Sequence, residues 1–277
     1  MNTKNENQSS EKNLKPERIA KVIARAGICS RREAEKLIIK GCIKVDGKIL
    51  TTPAVTVTNI NYVEVDGQPL PNMVPMRLWR FHKPKGLLTS HADPQGRPTV
   101  FEQLPKSLGR VISVGRLDFN SEGLLLLTND GELARRLELP KTGWVRRYRV
   151  RVHGLVDEGK LKGLADGAKV AGVSYGPISA VLDNKKGSNS WLTVSLNEGR
   201  NREIRRVMKY LGLEVTRLIR IAFGPFQLGN LSSNRIEEIS GKVIREQLGG
   251  ESFFFASSSM NKSGWAAKST ASRRKPS

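Results

Sequence analysis

Apolar residues recur along this chain with two different periods, and the switch between them outlines its elements. Ile19, Val22, Ile23 and Ala26 fall at helical spacing and Gly27 follows them as a stop. A second helix starts at Ser30, where S-R-R-E forms a capping box with Glu33 and sets Ala34, Leu37 and Ile38 on one face. The period then shortens. Cys42 to Val45 with the turn Asp46-Gly47, and Tyr62 to Val65 with the turn Asp66-Gly67, read as strands of hairpins. Pro69, Pro71 and Pro75 interrupt the pattern and mark a stiffened linker that is neither helix nor central strand.

Beyond residue 78 the runs lengthen. Val111, Ile112 and Val114 read as one buried strand and Leu124 to Leu127 as another, so the polar loop between them reaches the rim of a sheet. Arg147 to Val152 alternates cleanly, with Tyr148, Val150 and Val152 on one face and Arg147, Arg149 and Arg151 on the other. Asn201 to Leu211 reads as a helix ended by Gly212, with Ile204, Val207, Met208 and Leu211 on one side and Arg202, Arg205, Arg206 and Lys209 opposite. Asn129 to Glu132 forms an N-x-x-E box before Leu133, which makes Asp130 and Glu132 helix-start residues.

Composition changes this picture in one direction. The 277 residues suit two domains or one large one, with a real core, but the formal charge is +21. Such an excess of Lys and Arg concentrates polyanions at the surface and predicts salt-dependent nucleic-acid binding. Arg31 and Arg32 sit in the first turn of the second helix, where the dipole disfavours cations by about a few tenths of a kcal/mol. That placement fits a turn that expects phosphate. No long apolar span or amphipathic anchor points to a membrane, and the polar start MNTKNENQSSEKN has no secretory h-region, so a cytoplasmic protein is expected.

Cofactor chemistry finds no support. Cys29 and Cys42 stand apart from any histidine cluster, His82, His91 and His153 have no ligand spacing, and neither a phosphate loop nor a dinucleotide fingerprint occurs. The expectation is an activity without metal or cofactor. What remains is a lone carboxylate, Asp118, in the polar loop, with Arg116 two residues away to orient it. Glu122 shares the loop without an evident partner. A glycosidase would need two placed carboxylates and a metal nuclease a cluster of them, and neither set is present.

The segment G-R-L-D followed by N-S-E-G-L-L-L-L-T-N-D-G resembles the signature of the RNA pseudouridine synthases, specifically the RsuA/RluB-type ribosomal group. F-H-K-P-K-G near residue 81, D-P-Q-G-R-P-T-V near 93, E-G-R-N-R-E-I-R-R near 198 and R-L-I-R-I-A-F-G near 217 extend the likeness over roughly residues 16–245. The run A-G-I-C-S-R-R-E-A-E-K-L-I-I-K-G-C-I-K-V-D-G-K resembles the S4 RNA-binding domain. The resemblance implies an α+β fold: a small S4-like module and a larger domain with a mostly antiparallel mixed sheet flanked by helices. It divides the chain into a polar tail at 1–15, the S4-like module at 16–68, the linker at 69–77, a catalytic domain at 78–250 and a basic tail at 251–277.

By the same resemblance Asp118 is the catalytic residue, Tyr148 packs against the target base and Arg205 forms a salt bridge with Asp118. The implied partner is ribosomal RNA, with the large subunit favoured, bound by a monomer with the target uridine flipped out. Arg31, Arg32, Arg200, Arg202 and Arg206 are the candidate RNA contacts. Whether Asp118 attacks the sugar or removes a sugar proton stays open. A non-catalytic RNA-binding or ribosome-assembly factor is the rival reading, set against the carboxylate kept among cations that would otherwise serve RNA alone. The Ser-rich tail with Lys268, Arg273, Arg274 and Lys275 is expected to stay disordered, and Phe253 to Phe255 have no assigned role.

Overall fold

A computed structural model describes residues 16–248, except 59–61, 73 and 140–142. The two tails, with Phe253 to Phe255, lie outside the described residues.

The N-terminal module is built as the local signals dictate. β1 (Glu17–Arg18) leads into α1 (Ile19–Arg25) and α2 (Arg31–Ile39). The Ser30 side chain accepts from the Glu33 backbone and the Glu33 carboxylate accepts from the Ser30 backbone, so the capping box closes at both ends. β2 (Ile43–Val45), β3 (Lys48–Ile49), β4 (Thr56–Val57), β5 (Val63–Val65) and β6 (Gln68–Pro69) follow. Four of them form an antiparallel sheet in the order β3-β2-β5-β6, while β4 pairs with β1. Asp46-Gly47 and Asp66-Gly67 take positive φ at both positions, as tight hairpin turns require. Pro69 lies in β6 at the sheet edge, where a missing N–H costs no ladder bond. Ile19, Ile23, Ala34, Ile38, Ile43 and Val63 make a separate small core.

The large domain is built on a nine-stranded sheet, with one hairpin forming a separate two-stranded sheet. In chain order it contains β7 (Leu78–Lys83), β8 (Ile112–Val114), β9 (Glu122–Thr128), α3 (Gly131–Glu138), β10 (Arg146–His153), α4 (Glu158–Gly163), the hairpin β11 (Ala168–Val170) and β12 (Val173–Tyr175), β13 (Ile178–Lys186) and β14 (Asn189–Leu196). α5 (Glu203–Tyr210), β15 (Glu214–Phe223), β16 (Phe226–Gln227), β17 (Ile236–Ile239) and α6 (Gly241–Leu248) complete it. The strand order is β13-β14-β10-β15-β9-β7-β17, with β8 added to β9 and β16 to β15. Every pairing is antiparallel except β15 with β9. The fold is therefore α+β with a mostly antiparallel sheet, as the family resemblance implied.

That parallel contact joins two halves with different cores. β9 is apolar at consecutive positions because both of its faces are covered. Leu125 and Leu127 pack with Trp79, Tyr148, Val150 and Val207, whereas Leu124 and Leu126 pack with Leu78, Val114, Leu133 and Ile244. β10 alternates because only its Tyr148 face is buried.

Two local expectations change. The cap of α3 is Asp130, whose Oδ1 accepts from the Glu132 and Leu133 backbones. Asn129 instead ties the preceding segment to the sheet, accepting from the Arg77 backbone and donating to the Pro75 carbonyl. α5 begins at Glu203 rather than Asn201, because Arg202 takes a left-handed backbone with φ of 53° and cannot belong to the helix.

Candidate active site

Asp118 lies in the loop between β8 and β9, and almost every backbone carbonyl of that loop is held from outside. Thr89 Oγ1 donates to Leu117 at 2.9 Å, the Gly86 N–H to Phe119 at 2.8 Å and Arg205 Nη2 to Asn120 at 2.8 Å. Lys83 Nζ donates to the carbonyls of Pro84, Asp118 and Ser121 at 3.0, 3.2 and 2.9 Å. An ammonium has three protons, so this one is saturated. Lys83 is fully buried, and that burial pulls its pKa down to about 8 against the opposing pull of Asp118 and Glu122. At neutral pH it still carries its proton.

This clamp defines a prediction. Lys83→Met keeps most of the volume but leaves buried carbonyls without their donor, at about 1–3 kcal/mol for each orphan. The expected result is a loss of about 3–5 kcal/mol in urea denaturation, together with a lower turnover at the site that the loop carries. A variant as stable as the parent would show that the clamp is dispensable.

The carboxylate itself faces a cavity of about 790 Å³, within the usual range for a small-ligand site. Arg116, Tyr148, Arg200, Arg202 and Glu203 line the same cavity. Tyr148 is 9% exposed and lies on the wall formed by β10, opposite Arg220 in the register of β15. Arg116 is exposed at the rim. The expected salt bridge between Arg205 and Asp118 is not formed. Arg205 uses Nη1 and Nη2 on the carbonyls of Val215 and Asn120, and Arg202 Nη1 is the group that stands 4.0 Å from Asp118 Oδ2. Arg205 thus shapes the loop, and Arg202 faces the carboxylate. Both partners of that ion pair are substantially exposed, so it contributes about 1 kcal/mol or less. Its worth is orientation.

The other candidates are dispersed. Arg206 is exposed on α5 beside Asn201. Arg31 and Arg32 line a second cavity, of about 780 Å³, between the N-terminal module and the large domain, together with Lys21, Arg110 and Glu132. Glu122, the competing carboxylate, is taken by a bidentate contact from Arg217 at 3.1 and 2.8 Å. Asp93 folds onto Arg97 with both carboxylate oxygens, and that hydrogen bonding holds its pKa down to about 2. The D-P-Q-G-R segment is thus a self-tied turn.

Five charged groups that line the cavity, Glu138, Arg146, Glu198, Glu203 and Arg220, were missed from the sequence. Arg220 is 3% exposed, donates from Nε to Leu124 and leaves Nη2 without a protein partner. Arg146 lies over the Phe223 ring at 4.9 Å, and burial lowers its pKa. Glu203 is 3% exposed, with Oε2 accepting from the Arg200 backbone at 2.9 Å. A signal existed for Arg220, a cation at the apolar parity of the run Leu218, Arg220, Ala222. Among the described residues no group of three or more His, Cys, Asp or Glu could hold a metal ion, and no helix is long and apolar enough to cross a membrane.

A cleft that presents the part-exposed Asp118 carboxylate, walled by guanidinium groups and joined to a small basic module, fits an enzyme class that works on a polyanion. Comparison with known proteins makes this specific. A family model described as RNA pseudouridylate synthase matches residues 77–210, and an S4 domain model matches residues 17–59. An uncharacterized RNA pseudouridine synthase of Rickettsia prowazekii (strain Madrid E) is 49% identical over 231 residues, covering 83% of this chain and 97% of that one. Ribosomal large subunit pseudouridine synthase B of Salmonella typhi is 44% identical over 218 residues, covering 76% of this chain and 75% of its own length. A crystal structure of a pseudouridylate synthase superposes with a TM-score of 0.58 at 26% identity, over 83% of this chain and 99% of the other. The chain belongs to the RNA pseudouridine synthase family, and its activity is that of an isomerase.

Proposed function

We propose that this protein converts one uridine of ribosomal RNA, in the large subunit, to pseudouridine, with Asp118 as the carboxylate that opens the glycosidic bond. The observation that carries this reading is the placement of Asp118, 32% exposed at its side chain, on a loop tied at successive carbonyls and facing a nucleotide-sized cavity that Tyr148 also lines. The large-subunit target is supported by the 44% identity to the relative named for that subunit.

The uridine leaves its stack, at a cost of about a few kcal/mol, and its base enters the cavity against the Tyr148 ring. Asp118 then either attacks the anomeric carbon or removes the neighbouring sugar proton, and the bond to base nitrogen breaks. The base turns within the cavity and rejoins the sugar through carbon, as the ester to Asp118 breaks in the first route or the sugar proton is returned by Asp118 in the second. The ring carbon that forms the new bond gives up its proton, and the freed nitrogen gains one. Nothing is oxidised or reduced, so no cofactor is required. Arg202 steadies the carboxylate, while Arg116 and Arg200 stand where phosphates of the flipped strand would pass.

A second surface supports RNA binding. Arg147, Arg149 and Arg151 project from the exposed face of β10, and Arg149 lies 4.7 Å from the centre of the Trp191 ring. If all three arginines meet phosphates, their joint replacement by Gln lowers RNA affinity and reduces the slope of log K against log salt by about 2–3. An unchanged slope would place RNA elsewhere.

The isomerase reading is tested by mapping pseudouridine in ribosomal RNA from cells with and without the gene. One large-subunit position should revert to uridine in its absence. Identical maps would overturn the reading.

A further inference from the structure

The turn that carries Arg200 and Arg202 into the cavity is bracketed by two carboxyl groups. Glu198 Oε1 accepts from the Gly176 backbone at 2.6 Å and Oε2 from Arg200 Nε at 2.9 Å. Glu203 Oε2 accepts from the Arg200 backbone at 2.9 Å, while Oε1 is buried and finds no N–H or O–H donor. The two carboxyls thus converge on Arg200, Glu198 at its guanidinium and Glu203 at its backbone N–H, close enough for the charge of Glu198 to disfavour ionisation of Glu203. A carboxylate cannot donate, so a bond between two carboxyls requires a proton on one of them.

We propose that Glu203 works as a neutral acid, donating its proton to Glu198, and that this bond is a positioning device holding the Glu198–Glu203 turn so that Arg202 faces Asp118. This role rests on the isomerase reading for its consequence, though the shared proton does not. Glu203 is the partner that keeps the proton because it is the more buried and the poorer in donors. Glu198, with two N–H donors besides Glu203, is the anion. The directions of titration agree. Burial and the Glu198 charge push Glu203 up to about 7, whereas hydrogen bonds from Gly176 and Arg200 hold Glu198 below the usual carboxylate range in spite of burial.

The charged and titratable groups facing the pair fit the same assignment. Arg200 lies between the two carboxyls, with the Tyr175 ring of β12 at 5.9 Å from its guanidinium. Arg146 of β10 lines the same cavity as Glu203, with Tyr148, Arg220 and Glu138, and its charge interacts with all four. Two ionised carboxylates on one arginine would repel, and the turn has strain to release, since Arg202 holds its left-handed backbone without a glycine. Loss of the proton therefore loosens the residue that faces Asp118.

The sign of the pH effect follows. Glu203 titrates near 4.5 when unfolded and about 7 when folded, so the folded protein keeps a proton that the unfolded chain releases between those values. The associated stability is complete at the acid end and is lost as pH rises through about 7. Glu203→Gln retains a donor toward Glu198 and cannot titrate.

The experiment has two arms. The melting temperature of the full chain minus that of Glu203→Gln is measured against pH, without substrate. It should decline between about 4.5 and about 7 and then level. Since no RNA is present, this arm stands whatever the enzyme proves to modify. In the second arm Glu203→Ala should lower kcat about 10–100-fold through misplacement of the turn, while Glu203→Gln restores it to within about threefold. The rate of the parent relative to Glu203→Gln should fall as pH rises above about 7. A melting difference flat with pH, or a Gln variant no more active than the Ala variant, overturns the proposal.

Discussion

Replacing Asp118 by Asn is expected to abolish pseudouridine formation and to leave RNA binding nearly unchanged. The substitution keeps the shape of the side chain and its backbone contacts, which are made by the Asp118 carbonyl to Lys83 and Ser121 rather than by the carboxylate. It removes only the charge and basicity that either route to bond cleavage needs. General-base chemistry alone is worth about 10²–10⁴-fold, and a nucleophile that forms a covalent intermediate is worth more, so a fall of at least about 10³-fold in kcat is expected. RNA affinity should change by less than about threefold, because the lost ion pair is long and exposed. A variant that still turns over at the parental rate would remove Asp118 from the mechanism.

Gly123→Ala should damage both stability and activity. Gly123 is at φ 101°, and a Cβ there would stand 2.3 Å from the Arg220 carbonyl oxygen and 2.7 Å from its nitrogen. Backbone atoms cannot move aside as a flexible side chain can. The only relief is separation of β9 from β15, and those strands touch in register at Glu122 with Ile219 and Gly123 with Arg220 alone. This is the seam between the half-sheet that carries the Asp118 loop and the half that carries Tyr148. The expected cost is about 3–5 kcal/mol, from backbone strain and lost packing together. It is read as a shift in urea midpoint, with a fall in kcat among molecules that remain folded. A loss under about 1 kcal/mol would mean that the close approach is not a constraint.

Much of the fold was legible because local rules and tertiary packing agreed. The capping box at Ser30, the Asp-Gly turns, the alternation of β10 and the four consecutive leucines of β9 all express short-range geometry or burial on a known period. The start of α5 was misread because helical periodicity runs past the point where Arg202 turns left-handed, and periodicity does not report φ. Asn129 was taken for a cap because Asn and Asp are both good caps, and only the segment at Pro75 and Arg77 claimed the first of them.

The candidate site divides in the same way. Asp118, Tyr148 and the E-G-R-N-R-E-I-R-R segment stood out as residue types in a recognisable order. Which arginine faces Asp118 did not, because Arg202 and Arg205 differ only in rotation about one short helix and its cap. Lys83 lies 35 residues from Asp118 and 38 from Ser121, so its three-carbonyl clamp exists only after β7 pairs with β9.

The sequence by itself determined the elements, the excess of positive charge, the kind of reactive group and the family, because each is written in neighbouring residues or in overall composition. The tertiary structure alone decided the partners: Arg202 for Asp118, Arg217 for Glu122 and Lys83 for the loop. Hydrogen bonds and burial depend on distance in space, and the order of residues along a chain does not fix that distance until the sheet has closed.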